Sequence, residues 1–279
     1  MIRKTFKWDY LKKSPDTSGS DGIYLSINRL AIIDIASGQQ PIRDRLNTIV
    51  FNGEIFNALE LREELTNLGV KFETDHSDTE VIIKGYGFYG DEIFSKLNGM
   101  FSVAIYDGSK EELILARDTF GIKPLYIKVM EKAIEFASEL KALIDENTPA
   151  VYENTYLTIK RKSRVNFNTF YKSILEVQPG QIIKINKSLE SSTKKFKYSN
   201  SKNKKNIAET QKSLRDELIL AVSRWAASDV PISLSLSGGL DSSILAVAFI
   251  HIRSAMRLAS LTSAVSELRR NHVLTPSSL

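Results

Sequence analysis

Late in the chain, Ser237-Gly238-Gly239-Leu240-Asp241-Ser242-Ser243 stands between an apolar run, Val230 to Leu236, and a segment that is apolar almost all round, Ile244 to Ile250. An apolar strand that turns through two glycines into an apolar helix is the opening unit of a parallel sheet covered by helices on both faces. The turn also carries chemistry. Backbone N–H groups converge at the start of the helix, where they and the aligned peptide dipoles can hold an anion. The glycines let a phosphate approach the backbone, and the serine hydroxyls add donors. No lysine follows the glycines, so this is not the lysine-bearing phosphate loop. A plain strand-to-helix turn is the alternative reading. Ahead of it, Leu214, Leu218, Val222 and Trp225 fall on one face of an amphipathic helix.

Residues 23 to about 186 read differently, as short strands broken by a few helices. Thr48 to Phe51 reads as a buried strand, and Met100 to Tyr106 alternates as a half-buried one. Leu113 to Leu115, Leu125 to Val129 and Ile134 to Ala137 continue as a meander, and Pro179-Gly180 sets a turn before Ile182 to Ile185. Asn57 is placed to cap a helix carrying Leu61, Leu65 and Leu68, with Glu60 in the capping-box position and Gly69 as its stop. Ser77 or Asp78 caps a second helix through Val81, Ile82 and Tyr86. Strands and helices mixed in this way predict layered α+β sheets.

Two segments stand out in this region. Val50-Phe51-Asn52-Gly53-Glu54-Ile55-Phe56-Asn57 ends a strand in an amide and a glycine N–H, a pairing suited to stabilising an oxyanion. Glu54 beside them could hold an ammonium group. Taken alone, Asn-Gly reads as a hairpin turn. Ser77-Asp78-Thr79-Glu80, taken alone, reads as a helix cap.

Composition closes several routes. The 279 residues contain no cysteine, which excludes disulfides, thiolate metal sites and cysteine nucleophiles within this chain. Its three histidines (His76, His251, His272) are not spaced as a metal pair, so no metal site is expected. No apolar run reaches the roughly 20 residues of a membrane span, and the N-terminus lacks the apolar core of a signal peptide. A cytoplasmic protein without membrane contact is expected. The net charge of +5 gathers in Lys194, Lys195, Lys197, Lys202, Lys204 and Lys205, amid serine and asparagine. This reads as a basic flexible linker over 187–206 rather than a nucleic-acid groove. It divides an N-terminal domain, 1–186, from a C-terminal one, 207–279.

In order along the chain occur Arg29-Leu30-Ala31-Ile32-Ile33-Asp34, Gly38-Gln39-Gln40-Pro41, the FNGEIFN run from Phe51, and Ser77 to Val81. Leu97-Asn98-Gly99-Met100-Phe101, Ala116-Arg117-Asp118, Gly121-Ile122-Lys123-Pro124-Leu125-Tyr126, and Phe136-Ala137-Ser138-Glu139 follow, with Ser228-Asp229-Val230-Pro231 leading into SGGLDSS. This series, over roughly residues 14 to 250, resembles the glutamine-dependent asparagine synthetases. The resemblance implies a class II, N-terminal-nucleophile-like glutaminase domain with layered sheets, followed by an α/β ATP-pyrophosphatase-like domain. In that family glutamine gives up ammonia, which displaces AMP from adenylated aspartate. Carried onto this chain, Arg29 would bind the glutamine carboxylate. Asn52 and Gly53 would form the oxyanion hole, while Glu54 and Asp78 would hold the amino group. Leu236 would touch adenine, and Ser237, Gly238, Gly239, Leu240, Asp241, Ser242 and Ser243 would hold the pyrophosphate of ATP, with Mg2+ as its companion ion.

The chain departs from that pattern at both ends. Family members begin Met-Cys-Gly-Ile, whereas this chain begins Met1-Ile2-Arg3-Lys4. Thr5 and Ser14 offer hydroxyls, but neither becomes N-terminal by methionine removal. The tail from Asn271 to Leu279 matches nothing in the family. The expectation is therefore a degenerate relative with no catalytic nucleophile for glutaminase chemistry and an incomplete second domain. A non-catalytic glutamine-binding module is the alternative, and a homodimer or pairing with a full-length synthetase stays open. Val247, Phe249 and Ile250 are expected to be left exposed.

Overall fold

The computed structural model describes residues 23–27, 29–151, 169–196 and 207–252. The hydroxyls of Thr5 and Ser14, the lysines from Lys197 to Lys205 and the tail from Asn271 lie outside the described residues. The chain divides into two compact units, Met1–Asn200 and Ser201–Leu279.

Among the described residues of the first unit, nine strands form two antiparallel sheets. The larger contains β1 (Ile42–Asp44), β2 (Asn47–Ile55), β3 (Gly99–Asp107), β4 (Glu112–Arg117), β8 (Gln181–Ile185) and β9 (Ser191–Lys195), in the order β1-β2-β3-β4-β8-β9. The smaller runs β6-β5-β7, from β5 (Tyr126–Val129), β6 (Ile134–Ala137) and β7 (Ile174–Glu176). Between β2 and β3 the chain forms α1 (Ala58–Asn67), α2 (Asp78–Tyr89) and the short α3 (Ile93–Lys96).

The two-residue period of the strands sorts side chains between two cores. Ile49, Phe51, Val103, Ile105, Ile114 and Ala116 point to the helical side, against Leu61, Leu65, Ile82, Ile83 and Phe94. Val50, Ala104, Leu113 and Leu115 point the other way, against Ile127, Ile134 and Phe136 of the smaller sheet. The unit is thus layered as helices, sheet and sheet, the α+β arrangement that the sequence predicts.

Several expectations are corrected here. β3 is buried along both faces rather than half-buried, because helices cover one side and a second sheet the other. The predicted meander is broken. β4 pairs with β3 and β8, while β5 and β6 belong to the other sheet, so the chain changes layer in the loop after Arg117. Ser77 caps α2, its Oγ accepting the Glu80 N–H at 3.4 Å. Asn57 stands at the N-cap of α1 but makes no side-chain cap bond. Its amide instead donates to Lys96 O at 3.0 Å and accepts from Asn98 N at 2.8 Å, tying the start of α1 to the turn before β3.

The segment read as a linker is corrected too. Its residues 191–195 pair with β8 throughout, and Phe196 is buried in the helix-side core. Lysine in an exposed edge strand disguised the pairing, since edge strands carry charge to block association.

In the second unit, the helix Ile207–Trp225 forms as expected, but Leu214 and Trp225 on its apolar face are exposed. Residues 230–236 are not a strand. They are without regular secondary structure and solvent-exposed except for the half-buried Val230, with no paired neighbour among the described residues. A second helix occupies 240–252, and only Ala248 and Ile252 on it are buried. Val247 and Ile250 are exposed as expected, whereas Phe249 is half-buried. Among the described residues no helix is long and apolar enough to cross a membrane.

Candidate functional site

Four pieces of chain converge on one cavity of about 110 Å³ in the first unit. The segment before β1 brings Arg29, the end of β2 brings Asn52 and Gly53, and the first turn of α2 brings Asp78. Lys123, from the loop after β4, completes the charged lining. Four of the five predicted glutamine-site residues therefore share a pocket. The fifth, Glu54, lies beside it as a buried carboxylate that feels the charges of both Asp78 and Lys123.

Two links pin β2 to α2, one through the Gln40 side chain and one direct. Gln40 Oε1 accepts the Phe51 N–H at 2.8 Å while its Nε2 donates to Thr79 Oγ1 at 3.0 Å. Asp78 Oδ2 accepts the Ile55 N–H at 3.2 Å. The Asn52 amide donates to Ser138 Oγ at 3.2 Å, so one amide hydrogen is engaged and the other stays available. Gly53 is required by crowding, since a Cβ there would sit 2.0 Å from Met100 O.

Arg29 is oriented by backbone carbonyls. Its Nη2 donates to Ile33 O and, at 3.0 Å, to Asp34 O. Its Nη1 is buried and has no hydrogen-bond partner among the described residues. Gly38 lets the guanidinium lie flat against the loop, because a Cβ there would meet Arg29 Nη2 at 2.8 Å. Asp34 fastens this loop to the approach to α2: its carboxylate accepts Ser37 N at 2.9 Å and His76 N at 3.3 Å.

The two acids of the site are held in an unusual state. Burial pushes Glu54 up to about 7, with the Asp78 charge adding to the rise and Lys123 opposing it. Burial likewise lifts Asp78 to about 6, against its hydrogen bonds from Ile55 and Thr79 and the Arg29 charge. Two buried carboxylates thus lie close to two cations, Arg29 and Lys123, at one small cavity.

In the sequence, Gln40, Lys123 and Ser138 are parts of motifs without roles. Only the fold gives them one, because each comes from a different loop. The signal available was the run from Arg117 to Lys123. An aspartate ahead of a glycine-containing loop commonly binds the backbone N–H groups that follow it, and Asp118 does so here.

The nucleotide-loop residues are elsewhere, in the second unit. Ser237 Oγ lies 3.0 Å from Ser242 Oγ, and the Ser242 and Ser243 hydroxyls donate to Gly239 O at 3.1 and 2.8 Å. Gly238 takes φ 78°, the left-handed region that favours glycine, with open space about it. Leu236 and Leu240 are exposed. Among the described residues no cluster of three acidic or histidine side chains is placed to hold a metal ion.

Residues 11–197 match the glutamine amidotransferase domain family, covering both sheets and every residue of the pocket. The chain belongs to that family. Residues 213–270 match the asparagine synthase family, and together the two matches make the chain a member of the asparagine synthetase family. Glutamine-hydrolyzing asparagine synthetase 1 of Bacillus subtilis (strain 168) is 35% identical over 243 residues, 84% of this chain and 38% of that protein. A putative glutamine-hydrolyzing asparagine synthetase of Mycobacterium tuberculosis (strain ATCC 25618 / H37Rv) is 34% identical over 282 residues, covering 90% and 42%. The amidase chyE of Penicillium rubens is 33% identical over 248 residues, covering 84% and 36%. The chain thus spans less than half the length of these curated relatives. Among solved structures, a glutamine phosphoribosylpyrophosphate amidotransferase from B. subtilis complexed with ADP and GMP is 25% identical. That alignment has a TM-score of 0.42 and covers 57% of this chain and 32% of that one.

Proposed function

We propose that the pocket of this chain binds glutamine and holds it without cleaving it. The observation that carries this reading is the Nη1 of Arg29, buried and without a hydrogen-bond partner among the described residues, at a small cavity that Asp78 also lines. A carboxylate is the partner such a guanidinium edge demands, since a buried N–H without an acceptor costs about 1–3 kcal/mol. The ligand's ammonium then meets Glu54 and Asp78, and its carboxamide meets Asn52 and Gly53. A zwitterion with a neutral polar tail satisfies the whole set.

Cleavage is a separate matter. The family resemblance routes hydrolysis through a cysteine thiolate, and none of the 279 residues is a cysteine. Binding groups alone leave only weak residual catalysis. The Ser237–Ser243 loop offers donors to the phosphates of ATP, with Mg2+ arriving on the nucleotide. The exposed Leu236 and the stretch before it offer adenine no slot among the described residues, so nucleotide binding is weak in this reading.

Calorimetric titration of the full chain with glutamine, glutamate and aspartate tests the proposal, alongside an ammonia assay. Binding that favours glutamine without ammonia release is expected. Absence of heat from a folded sample overturns the binding reading, and stoichiometric ammonia release overturns the non-catalytic one.

A further inference from the structure

Lys123 lines the pocket from a loop whose backbone is held by two buried charged side chains. The Asp118 carboxylate, fully buried, accepts N–H groups from Phe101 at 3.2 Å, Phe120 at 3.1 Å, Ile122 at 2.9 Å and Lys123 at 3.0 Å. Arg117 grips the same loop by its carbonyls, donating to Lys123 O and Gly121 O at 2.8 Å each. Arg117 is itself anchored on Glu176 Oε1 at 2.8 Å and Val177 O at 2.6 Å. Both the N–H and the C=O of Lys123 are thus fixed by buried charged groups, a heavy investment for a loop lysine.

We infer that Lys123 is a specificity-determining residue: lining the same small pocket, its ammonium is the countercharge of Glu54, and through it the pocket selects an amino acid with a free ammonium over the same molecule without one. This deepens the glutamine reading and rests on it. The charged groups facing Glu54 are Asp78 from α2 and Lys123 from the loop, with Arg29 acting on Asp78. With Lys123 present, Glu54 titrates at about 7, so about half of it is ionised at neutral pH and can receive an ammonium. Without it the acids share Arg29 alone. Glu54 then holds its proton more tightly and at neutral pH offers the ligand mostly a neutral carboxyl in place of a charge. The direction of the Lys123 effect on Glu54, opposing burial, agrees with this role.

The test uses the full chain, with Lys123→Met and with Lys123→Arg as the charge-keeping control. The probes are glutamine and its deaminated counterpart, 4-carbamoylbutanoate, titrated at about pH 7 and about pH 8.5. Lys123→Met is expected to weaken glutamine about fivefold near pH 7, the effect on the ionised fraction of raising Glu54 from about 7 by about one pKa unit. Most of that loss should vanish near pH 8.5, where Glu54 ionises unaided, and Lys123→Arg should restore binding at both. The deaminated compound should change by no more than about twofold. Equal losses for both probes, or a loss independent of pH, reduce Lys123 to a packing role and overturn the inference. If the unmodified chain binds neither probe, the glutamine reading fails. The Glu54 carboxyl titration, followed by carbon-13 NMR with Glu54→Gln as assignment, then decides the inference by itself. A midpoint that rises in Lys123→Met supports the countercharge, and an unmoved one overturns it.

Discussion

The backbone N–H of Ile55 donates to Asp78 Oδ2 at 3.2 Å, so the acid at the start of α2 also closes the end of β2. Asp78 therefore has a structural task and an electrostatic one, and two substitutions separate them. Asp78→Ala leaves a buried N–H unpaired and should cost about 1–3 kcal/mol in urea denaturation. Asp78→Asn keeps an acceptor for Ile55 and should cost less, while losing most of the affinity for the ligand's ammonium. Equal stability losses from both would show that the charge, rather than the hydrogen bond, holds these elements together.

Glu54 is a carboxylate that the fold disfavours. Its folded value is about 7 against an ordinary 4.5. Between those limits the folded protein keeps a proton that the unfolded chain has released, so this group's contribution to stability falls as pH rises through the window. Glu54→Gln removes the penalty. It should raise stability near pH 7 by about 1–2 kcal/mol, a figure reduced for water in the pocket and the opposing Lys123 charge. Below about pH 4.5 the gain should disappear. Urea midpoints of the two proteins across this range give the difference directly, and a gain that is constant with pH would contradict the burial of that charge.

Asp118 makes a stronger demand. Four backbone N–H groups converge on its carboxylate, and an amide can serve only those facing its single oxygen. Asp118→Asn should therefore cost about 3–5 kcal/mol, the range for breaking a buried charged network. Lys123 should lose its place in the pocket as well, so glutamine affinity should fall even where the protein remains folded. A variant as stable as the parent would show that the loop holds its shape through other contacts.

How much of this could be read from the chain varies with the source of each signal. The apolar runs Thr48 to Phe51 and Ile182 to Ile185 mark strands buried on both faces. The alternation in Met100 to Tyr106 marks a strand too, but alternation cannot report a second layer on the far face, so it makes β3 half-buried. The pocket residues Arg29, Asn52, Gly53 and Asp78 were legible through a family resemblance, not through chemistry visible in the sequence. By itself Asn52-Gly53 suggests a turn, yet it lies inside β2, where the neighbouring Met100 carbonyl demands a glycine. Lys123 was hidden because its neighbours in space, Glu54 and Asp78, are distant in sequence. Residues 230–236 failed in the opposite sense. Their apolar pattern is that of a strand, but a strand exists only when another pairs with it, and none does among the described residues.

Phe196 gives the sharpest test of the corrected boundary between the two units. It follows a lysine-rich run that composition assigns to a solvated linker, where truncating a side chain changes stability by less than about 0.5 kcal/mol. In the fold its N–H donates to Gly180 O at 3.0 Å, which continues the β8–β9 pairing by one residue. Its ring stacks near Phe101, with centroids 6.2 Å apart and planes 15° apart, and lies 6.3 Å from Phe94. Phe196 thus closes the edge of the helix-side core beside two fully buried aromatics. Phe196→Ala should cost about 3 kcal/mol, near the lower end of the range for removing a buried phenyl group, since its site opens on the sheet edge. Phe120→Ala, at an aromatic that is 75% exposed, should change stability little and serves as the control. Urea denaturation of the full chain measures both. A loss at Phe196 no greater than that at Phe120 would return the segment to a linker and remove β9 from the sheet.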